Sequence, residues 1–313
     1  MTKSKHVAVL LKPTVTSLQV KPEGVYVDVT LGGAGHTRKI LAAMNWQGKL
    51  IAFDQDPKPI DSFKKSLIDD GFVLDVVKGI NHLHKQGLDI YLVARNFSQL
   101  EGTLAELKLG SVDGVMADLG LSTDQLFEKE RGFSYLSEGK LDMRMSPEFL
   151  VTAADLLNGL YEKELENMFL SLGDVDFYKK LSRAIVKARN LKPFTRPSEL
   201  KNLVHKIVPL SSRLGTNKHP EAKVFQALRI AVNDELNHLR KFLPQAFNAL
   251  RPGGRLSVIT FHSGEDRIVK NDFRDRVQLN NARYVYKILK TEEAEKAANA
   301  RSHSAKLRSI EKI

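Results

Sequence analysis

Short apolar runs alternate with amphipathic stretches over the first third of the chain. Residues 24–29 (GVYVDV) are apolar, β-branched and followed closely by glycines, the pattern of a buried strand. From Thr37 the period lengthens, and Ile40, Leu41 and Met44 fall on one helical face. Residues 49–53 (KLIAF) form a second strand that ends in Asp54-Gln55-Asp56-Pro57, and a helix follows over about 59–69 with Asp56 as its N-cap. Residues 89–95 (DIYLVAR) are a third strand leading into Asn96-Phe97, and 112–117 (VDGVMA) a fourth that ends at Asp118. Strands alternating with helices predict a parallel α/β sheet.

The next clear strand, residues 255–260 (RLSVIT), follows a helix stop and turn at Leu250-Arg251-Pro252-Gly253-Gly254. The interval from Asp118 is far longer than one crossover needs. Its patterns are helical over 153–160, 162–172, 177–189 and 197–208, with Thr195 as an N-cap and Pro197 in the first turn. A helical domain inserted over 125–220 is therefore expected, dividing a sheet domain made of 1–124 and 221–313. The helix returning to the sheet spans about 221–250. Phe225, Leu228, Val232, Leu236, Leu239, Leu243 and Phe247 mark its buried face, and Pro244 should kink or restart it. Gln226, Arg229 and Asn233 form a polar stripe beside it, readable as solvated or as functional.

Composition narrows the chemistry. The 313 residues are 42% hydrophobic, enough for a packed core, and include no cysteine. Disulfides, thiolate metal sites and a cysteine nucleophile are thereby excluded, and no metal site is expected. The apolar start is too short for a signal-peptide core and no run is long enough to span a bilayer, so a soluble, cytoplasmic protein without a membrane partner is expected. The net charge of +11 favours a polyanionic partner. Part of the excess is local, with 12 Lys/Arg against 6 Asp/Glu from Arg267 onward.

Five strand ends carry polar or glycine-rich sequence, and in an open parallel sheet ligands sit beyond those ends. They are Asp28–His36 (DVTLGGAGH), Asp54–Asp56, Asn96-Phe97, Asp118–Gln125 and Phe261–Asp266. Asp54 stands 19 residues after Gly35, placed to accept from two ribose hydroxyls. A pyrophosphate loop needs G-x-G-x-x-G; Gly33 and Gly35 fit, but Arg38 stands at the third position. A glycine turn and a ribose acid without the pyrophosphate signature suit S-adenosylmethionine, which has a ribose but no phosphate. Asp28 would support the turn or meet the methionine amino group.

On these motifs the chain resembles the MraW-type ribosomal RNA methyltransferases, which methylate N4 of a cytosine in the decoding region of small-subunit (16S) RNA. The resemblance covers nearly the whole chain. It rests on the opening His6–Leu11, Asp28–His36, Asp54–Pro57 and Asp118–Leu126, and on Arg131-Gly132-Phe133-Ser134 and Leu141–Met145. Phe225–Ile230 with Val232-Asn233, Phe261-His262-Ser263 with Glu265-Asp266-Arg267, and Ser304–Arg308 complete it. There are departures: Ala34 stands where the family loop usually has glycine, Gly264 replaces a leucine, Lys12-Pro13 an acidic pair and Phe127 an aspartate, and residues 72–88 add length.

The resemblance implies an α/β fold: a class I (Rossmann-like) S-adenosylmethionine methyltransferase sheet with an inserted all-helical domain that recognises substrate. It implies S-adenosylmethionine as cofactor, bound by Ala34, Gly35, His36, Asp54, Phe97, Asp118 and Gln125. Phe97 would flank adenine or pack in the core. The reaction is direct methyl transfer to an exocyclic amine, with Asp118 as acceptor for the amine or as a cofactor ligand, and His262 and Ser263 near the cytosine edge. Arg131, Arg144 and Arg229 are candidates for RNA phosphates, or structural ion-pair partners. The partner is 16S ribosomal RNA within the small subunit, and a homodimer is compatible. Two other readings are an NAD-dependent oxidoreductase, disfavoured by Arg38 and the basic charge, and a non-enzymatic RNA-binding module, which leaves the strand-end acids unexplained.

Overall fold

The computed structural model describes residues 8–122, 125, 126, 128–208 and 219–313. His6 and Val7 of the opening motif, Thr123 and Asp124 of the fourth strand-end motif, and Phe127 lie outside the described residues. The chain divides into two compact units, Met1–Gly120 with Leu236–Ile313, and Leu121–Glu235.

The first unit is built on one sheet. Its strands are β1 (Val25–Asp28), β2 (Gly48–Phe53), β3 (Val73–Val77), β4 (Ile80–Lys85), β5 (Leu88–Val93), β6 (Val112–Asp118), β7 (Leu250–Thr260), β8 (Ala282–Lys290) and β9 (Lys306–Lys312). Their order is β3-β4-β5-β2-β1-β6-β7-β9-β8. The five strands from β5 to β7 run parallel. β9 lies antiparallel between β7 and β8. The helices are α1 (Leu11–Leu18), α2 (Gly35–Ala43), α3 (Pro57–Asp69), α4 (Leu100–Glu106), α10 (Glu235–Ala249), α11 (Ser263–Gln278) and α12 (Glu293–Ala298).

Strand periodicity sends alternate residues to opposite faces, and both faces are covered. Val27, Ile51, Phe53, Val115, Ala117 and Val258 pack with Leu239, Phe242, Leu243, Val269 and Phe273. Tyr26, Leu50, Ala52, Ile90, Leu92 and Met116 pack with Leu18, Ile40, Leu41, Met44, Ile60, Phe63 and Leu67. This is why the strands read as continuous apolar runs.

The added residues 72–88 form an antiparallel extension of the sheet. Val77 pairs with Ile80 across Lys78-Gly79, and Lys85 with Leu88 across Gln86-Gly87. All four turn residues have positive φ (51, 78, 44 and 86°), the two-residue type I′ hairpin that matches strand twist.

The second unit is helical: α5 (Ala153–Gly159), α6 (Glu162–Gly173), α7 (Tyr178–Arg189), α8 (Pro197–Ile207) and α9 (Pro220–Asn233). Leu157, Leu165, Phe169, Leu181, Ile185, Leu200 and Val204 make its core. Val224, Phe225, Ala227 and Leu228 of α9 join that core, so the division falls after Glu235 rather than at the expected residue 220. The expected helix 221–250 is in fact two. It breaks at Asp234, left-handed with φ 47°, while Pro244 lies inside α10. The apolar stripe from Phe225 to Phe247 therefore serves two cores in turn.

One further expectation changes, and the basic segment from Arg267 onward takes a structured place. The N-cap of α8 is Arg196, not Thr195; Glu199 reaches back to the amides of both, and its carboxyl is lowered to about 2, burial being outweighed by Lys192 and these amides. The basic tail is not a free arm. Its Lys306 and Arg308 pair with Asp266, and Arg283 joins Arg255 on Glu311, because β8 and β9 close the sheet.

Candidate active site

The chain runs outward from β1 through β2 to β5, then returns to β6 on the other side of β1. Strand order reverses between β1 and β6, and ligands bind at the carboxyl ends beside such a switch point. Asp28 and Asp118 end those two strands.

Asp28 is fully buried. It accepts from the Thr37 hydroxyl at 2.6 Å and from the Thr30 amide at 3.0 Å. Burial pushes its carboxyl up, opposed by those bonds and by His36. Of its two expected roles, the structure gives it support of the turn. Thr30 also links the switch-point strands, since its hydroxyl accepts from the Asp118 amide at 2.7 Å. Thr30 and Thr37 were missed by sequence reasoning. Their signal was a hydroxyl two residues after an aspartate and another in the first turn of the glycine-led helix.

The glycine loop folds back on the second strand end. The Gly32 amide donates to Asp54 at 2.9 Å, and the Asp56 amide to its other oxygen at 2.9 Å. A carboxylate has about four acceptor positions, so both oxygens retain capacity for ribose hydroxyls. Asp54 is half-buried; desolvation raises its carboxyl to about 7 against those two amide donors. Asp56 caps α3 as expected, accepting from the Lys58 amide.

Ala34 is the N-cap of α2 and sits in the left-handed region, φ 59° and ψ 19°. An L-residue there costs roughly 1–2 kcal/mol, which glycine would avoid. Gly35 leads the helix close to Ala8, whose Cβ would lie 2.9 Å from any Cβ at position 35. The helix therefore begins under the switch point with its first-turn amides available to a ligand. His36 is buried, with Nδ1 3.7 Å from Asp118 Oδ2. Burial lowers its pKa, although Asp28, the Val9 carbonyl and Glu295 all favour the proton, so the ring is neutral near pH 7. Arg38 turns away from the loop and donates to Ser66 at 2.6 Å.

On the third strand end, Asn96 donates to Gln55 at 2.8 Å, tying the ends of β5 and β2. Phe97 is half-buried, packs against the core and meets Phe242 edge-to-face at 5.2 Å. On the fifth, His262 caps α11, and both ring nitrogens face Glu265: Nδ1 at 3.4 Å from its amide and Nε2 at 3.1 Å from its carboxylate. These contacts hold the loop in which His262 stands. Ser263 begins α11 and is exposed.

The remaining candidates belong to the second unit. Gln125 closes a turn reciprocally with Ser122, at 3.1 and 3.2 Å. The three arginines are consumed internally. Arg131 donates to the carbonyls of Arg144 and Met145, Arg144 grips Asp142 through two nitrogens and donates to Phe149, and Arg229 is bidentate on Glu235. A guanidinium so engaged fastens the fold. Asn233, the third member of the polar stripe, is buried and bridges the Met145 amide and the Met143 carbonyl.

The donor set suits a nucleoside with a charged tail and no phosphate. The acid on β2 is placed for a ribose, a flat apolar face lies on the neighbouring strand end, a helix N-terminus stands between, and no glycine holds the pyrophosphate position. With the reversed strand order and the antiparallel β9, this is the Rossmann-like sheet of the S-adenosylmethionine methyltransferases. The profile of the MraW methylase family matches residues 3–313, and the chain belongs to that family. It is similar to ribosomal RNA small subunit methyltransferase H of Heliobacterium modesticaldum, 39% identical over 98% of both chains. The protein of the same name from Clostridium botulinum is 38% identical over 99% of both. A crystal structure of a ribosomal RNA methylase from Streptococcus thermophilus aligns over 96% of this chain and 93% of its own, with 9% identity and a TM-score of 0.43.

Proposed function

We propose that this enzyme transfers a methyl group from S-adenosylmethionine to N4 of a cytosine in the decoding region of small-subunit (16S) ribosomal RNA. The observation that carries the reading is the convergence of Asp28, Asp54 and Asp118 on one glycine loop at the switch point. The cofactor supplies an electrophilic methyl on a sulfonium. This chain's residues bind and orient: Asp54 takes the ribose hydroxyls, Phe97 flanks the adenine, and Gly35 and His36 present amides, while Ala34, whose own amide is held by the Leu31 carbonyl, sets the turn.

The cytosine amine is a poor nucleophile because its lone pair is delocalised into the ring. Asp118 accepts a hydrogen bond from an amino N–H, which localises the pair and stabilises the positive charge developing on nitrogen. Neutral His36 leaves that carboxylate's charge intact. The target base must leave its stack to enter. In the second unit, α7 supports an RNA-gripping role, since Lys179, Lys180, Arg183 and Lys187 are exposed and the helix has no acidic residue.

The test is mass spectrometry of small-subunit RNA nucleosides from cells with and without the protein. N4-methylcytidine should appear only with it, and an unchanged nucleoside profile refutes the reading. Asp118→Asn should cut turnover far more than S-adenosylhomocysteine affinity. Turnover near that of the parent would remove Asp118 from the chemistry.

A further inference from the structure

The opposite end of the sheet carries a concavity. A cavity of about 520 Å3, walled by Arg38, Trp46, Asp70, Phe72, Lys85 and Leu88, two cations against one carboxylate, opens where β2 and β5 begin. Strand β2 separates it from Asp54 by six residues, roughly 17–20 Å at strand rise. Its volume is that of a site for a small organic ligand.

Trp46 is the single tryptophan of the chain and keeps 42% of its surface exposed. It follows α2 in a turn where Asn45 and Trp46 are both left-handed, φ 53 and 57°. Bulky side chains are rare in that region, and glycine would make the same turn without strain. The turn does not require an indole, and the core does not enclose it.

Two cations stand at the same cavity on pre-positioned stems. The Arg38 guanidinium lies 5.0 Å from the Phe63 ring and donates to the Ser66 hydroxyl. Lys85 lies 5.7 Å from the Phe72 ring, and its Nζ donates to the Asp70 carbonyl at 2.7 Å. Their hydrogen-bond acceptors are neutral, and among the described residues neither forms an ion pair. Positive charge fixed beside an exposed indole matches a ligand with a flat ring and a phosphate. Base stacking and phosphate attraction are the two ways proteins hold single-stranded nucleic acid.

We propose that this cavity binds one unpaired nucleotide of RNA, its base stacked on Trp46 and its phosphate drawn by Arg38 and Lys85. The choice of RNA as occupant rests on the function proposed above. Lying beyond the opposite ends of the strands, the cavity would grip substrate at a point remote from the methylated base.

The single tryptophan makes the test direct. The full chain, saturated with S-adenosylhomocysteine so that the strand-end site is filled, is titrated with eight-nucleotide oligouridylate and with UMP while indole fluorescence is followed. Both should quench saturably, the oligonucleotide at lower concentration. Labelled oligouridylate then reads the variants by anisotropy. Trp46→Gly, which suits the left-handed backbone, should weaken binding roughly five- to hundredfold, the worth of one base stack, while Trp46→Phe retains most of it. Arg38→Gln and Lys85→Gln should each lower the salt slope by about 0.7. S-adenosylhomocysteine affinity should be unchanged in all four. Absence of quenching, or parental affinity in Trp46→Gly, overturns the proposal. Quenching by UMP without oligouridylate binding overturns RNA in favour of a free nucleotide. Failure of the parent to bind S-adenosylhomocysteine would instead strike the proposed function.

Discussion

Asp54 should make cofactor affinity depend on pH with a definite sign. Its carboxyl is raised to about 7 because burial outweighs the Asp56 and Gly32 amides that donate to it. Ribose hydroxyls donate best to the ionised form, so bound ligand draws the group back toward the usual carboxylate range. With a free value near 7, about one molecule in eleven is ionised at pH 6 and about ten in eleven at pH 8. Affinity for S-adenosylhomocysteine should therefore rise about tenfold over that interval, ~1.4 kcal/mol. His36 is lowered by burial, so any proton it carries is lost toward the acid side of this interval. The assay is calorimetry at pH 6 and 8, with two buffers of different ionisation enthalpy at pH 7, where binding should release about half a proton. Asp54→Asn should bind more weakly and with a flat profile; a residual slope would belong to Asp28, which is also raised. A parental dissociation constant equal at pH 6 and 8, without proton release, refutes the reasoning. In the free protein the native state keeps a proton that the unfolded chain loses, so stability contributed by this group falls as pH rises from about 4 to about 7.

Other outcomes follow from the same geometry. Ala34→Gly exchanges a left-handed penalty of roughly 1–2 kcal/mol for glycine's entropy and a lost buried methyl, so denaturant midpoints should move by less than about 1 kcal/mol, whereas Ala34→Val should lose more than ~2 kcal/mol. Asn233→Ala removes the partners of the Met145 amide and Met143 carbonyl, and should cost the helical unit about 2–4 kcal/mol by chemical denaturation. Asp266→Ala strands Arg308 and Lys306 and should cost about 3–5 kcal/mol. Those partners outweigh burial and hold Asp266 below its ordinary value, so its contribution is present above pH 4 and lost on acidification below it, visible as an acid limb that the variant lacks. Charge reversal at Lys179, Arg183 and Lys187 should weaken RNA binding and flatten its salt dependence while calorimetry finds S-adenosylhomocysteine affinity unchanged.

Much of the sheet was legible from the chain because parallel strands are buried on both faces and read as unbroken apolar runs. The strand-end acids were legible for a related reason: Asp28, Asp54 and Asp118 each follow such a run directly, so their place at the carboxyl ends needed no knowledge of packing. Lys78-Gly79 and Gln86-Gly87 carried hairpin signals that read only as added length, since the exposed β3 has no alternation to announce it. The terminal strands were hidden by their charge; Lys306, Arg308 and Glu311 look solvated until their partners on distant segments are known.

Local pattern thus determined where the parallel strands, most helices and the cofactor loop lie, because those depend on neighbours a few residues apart. Tertiary structure alone decided what the charged and polar side chains do. Arg131, Arg144 and Arg229 could have met phosphate or carboxylate by sequence, and carbonyls and acids brought beside them by folding took their donors. The apolar stripe from Phe225 to Phe247 looked like one helix because its period is continuous. Only the presence of two cores explains the break at Asp234, where one stripe must turn from the first packing surface to the second.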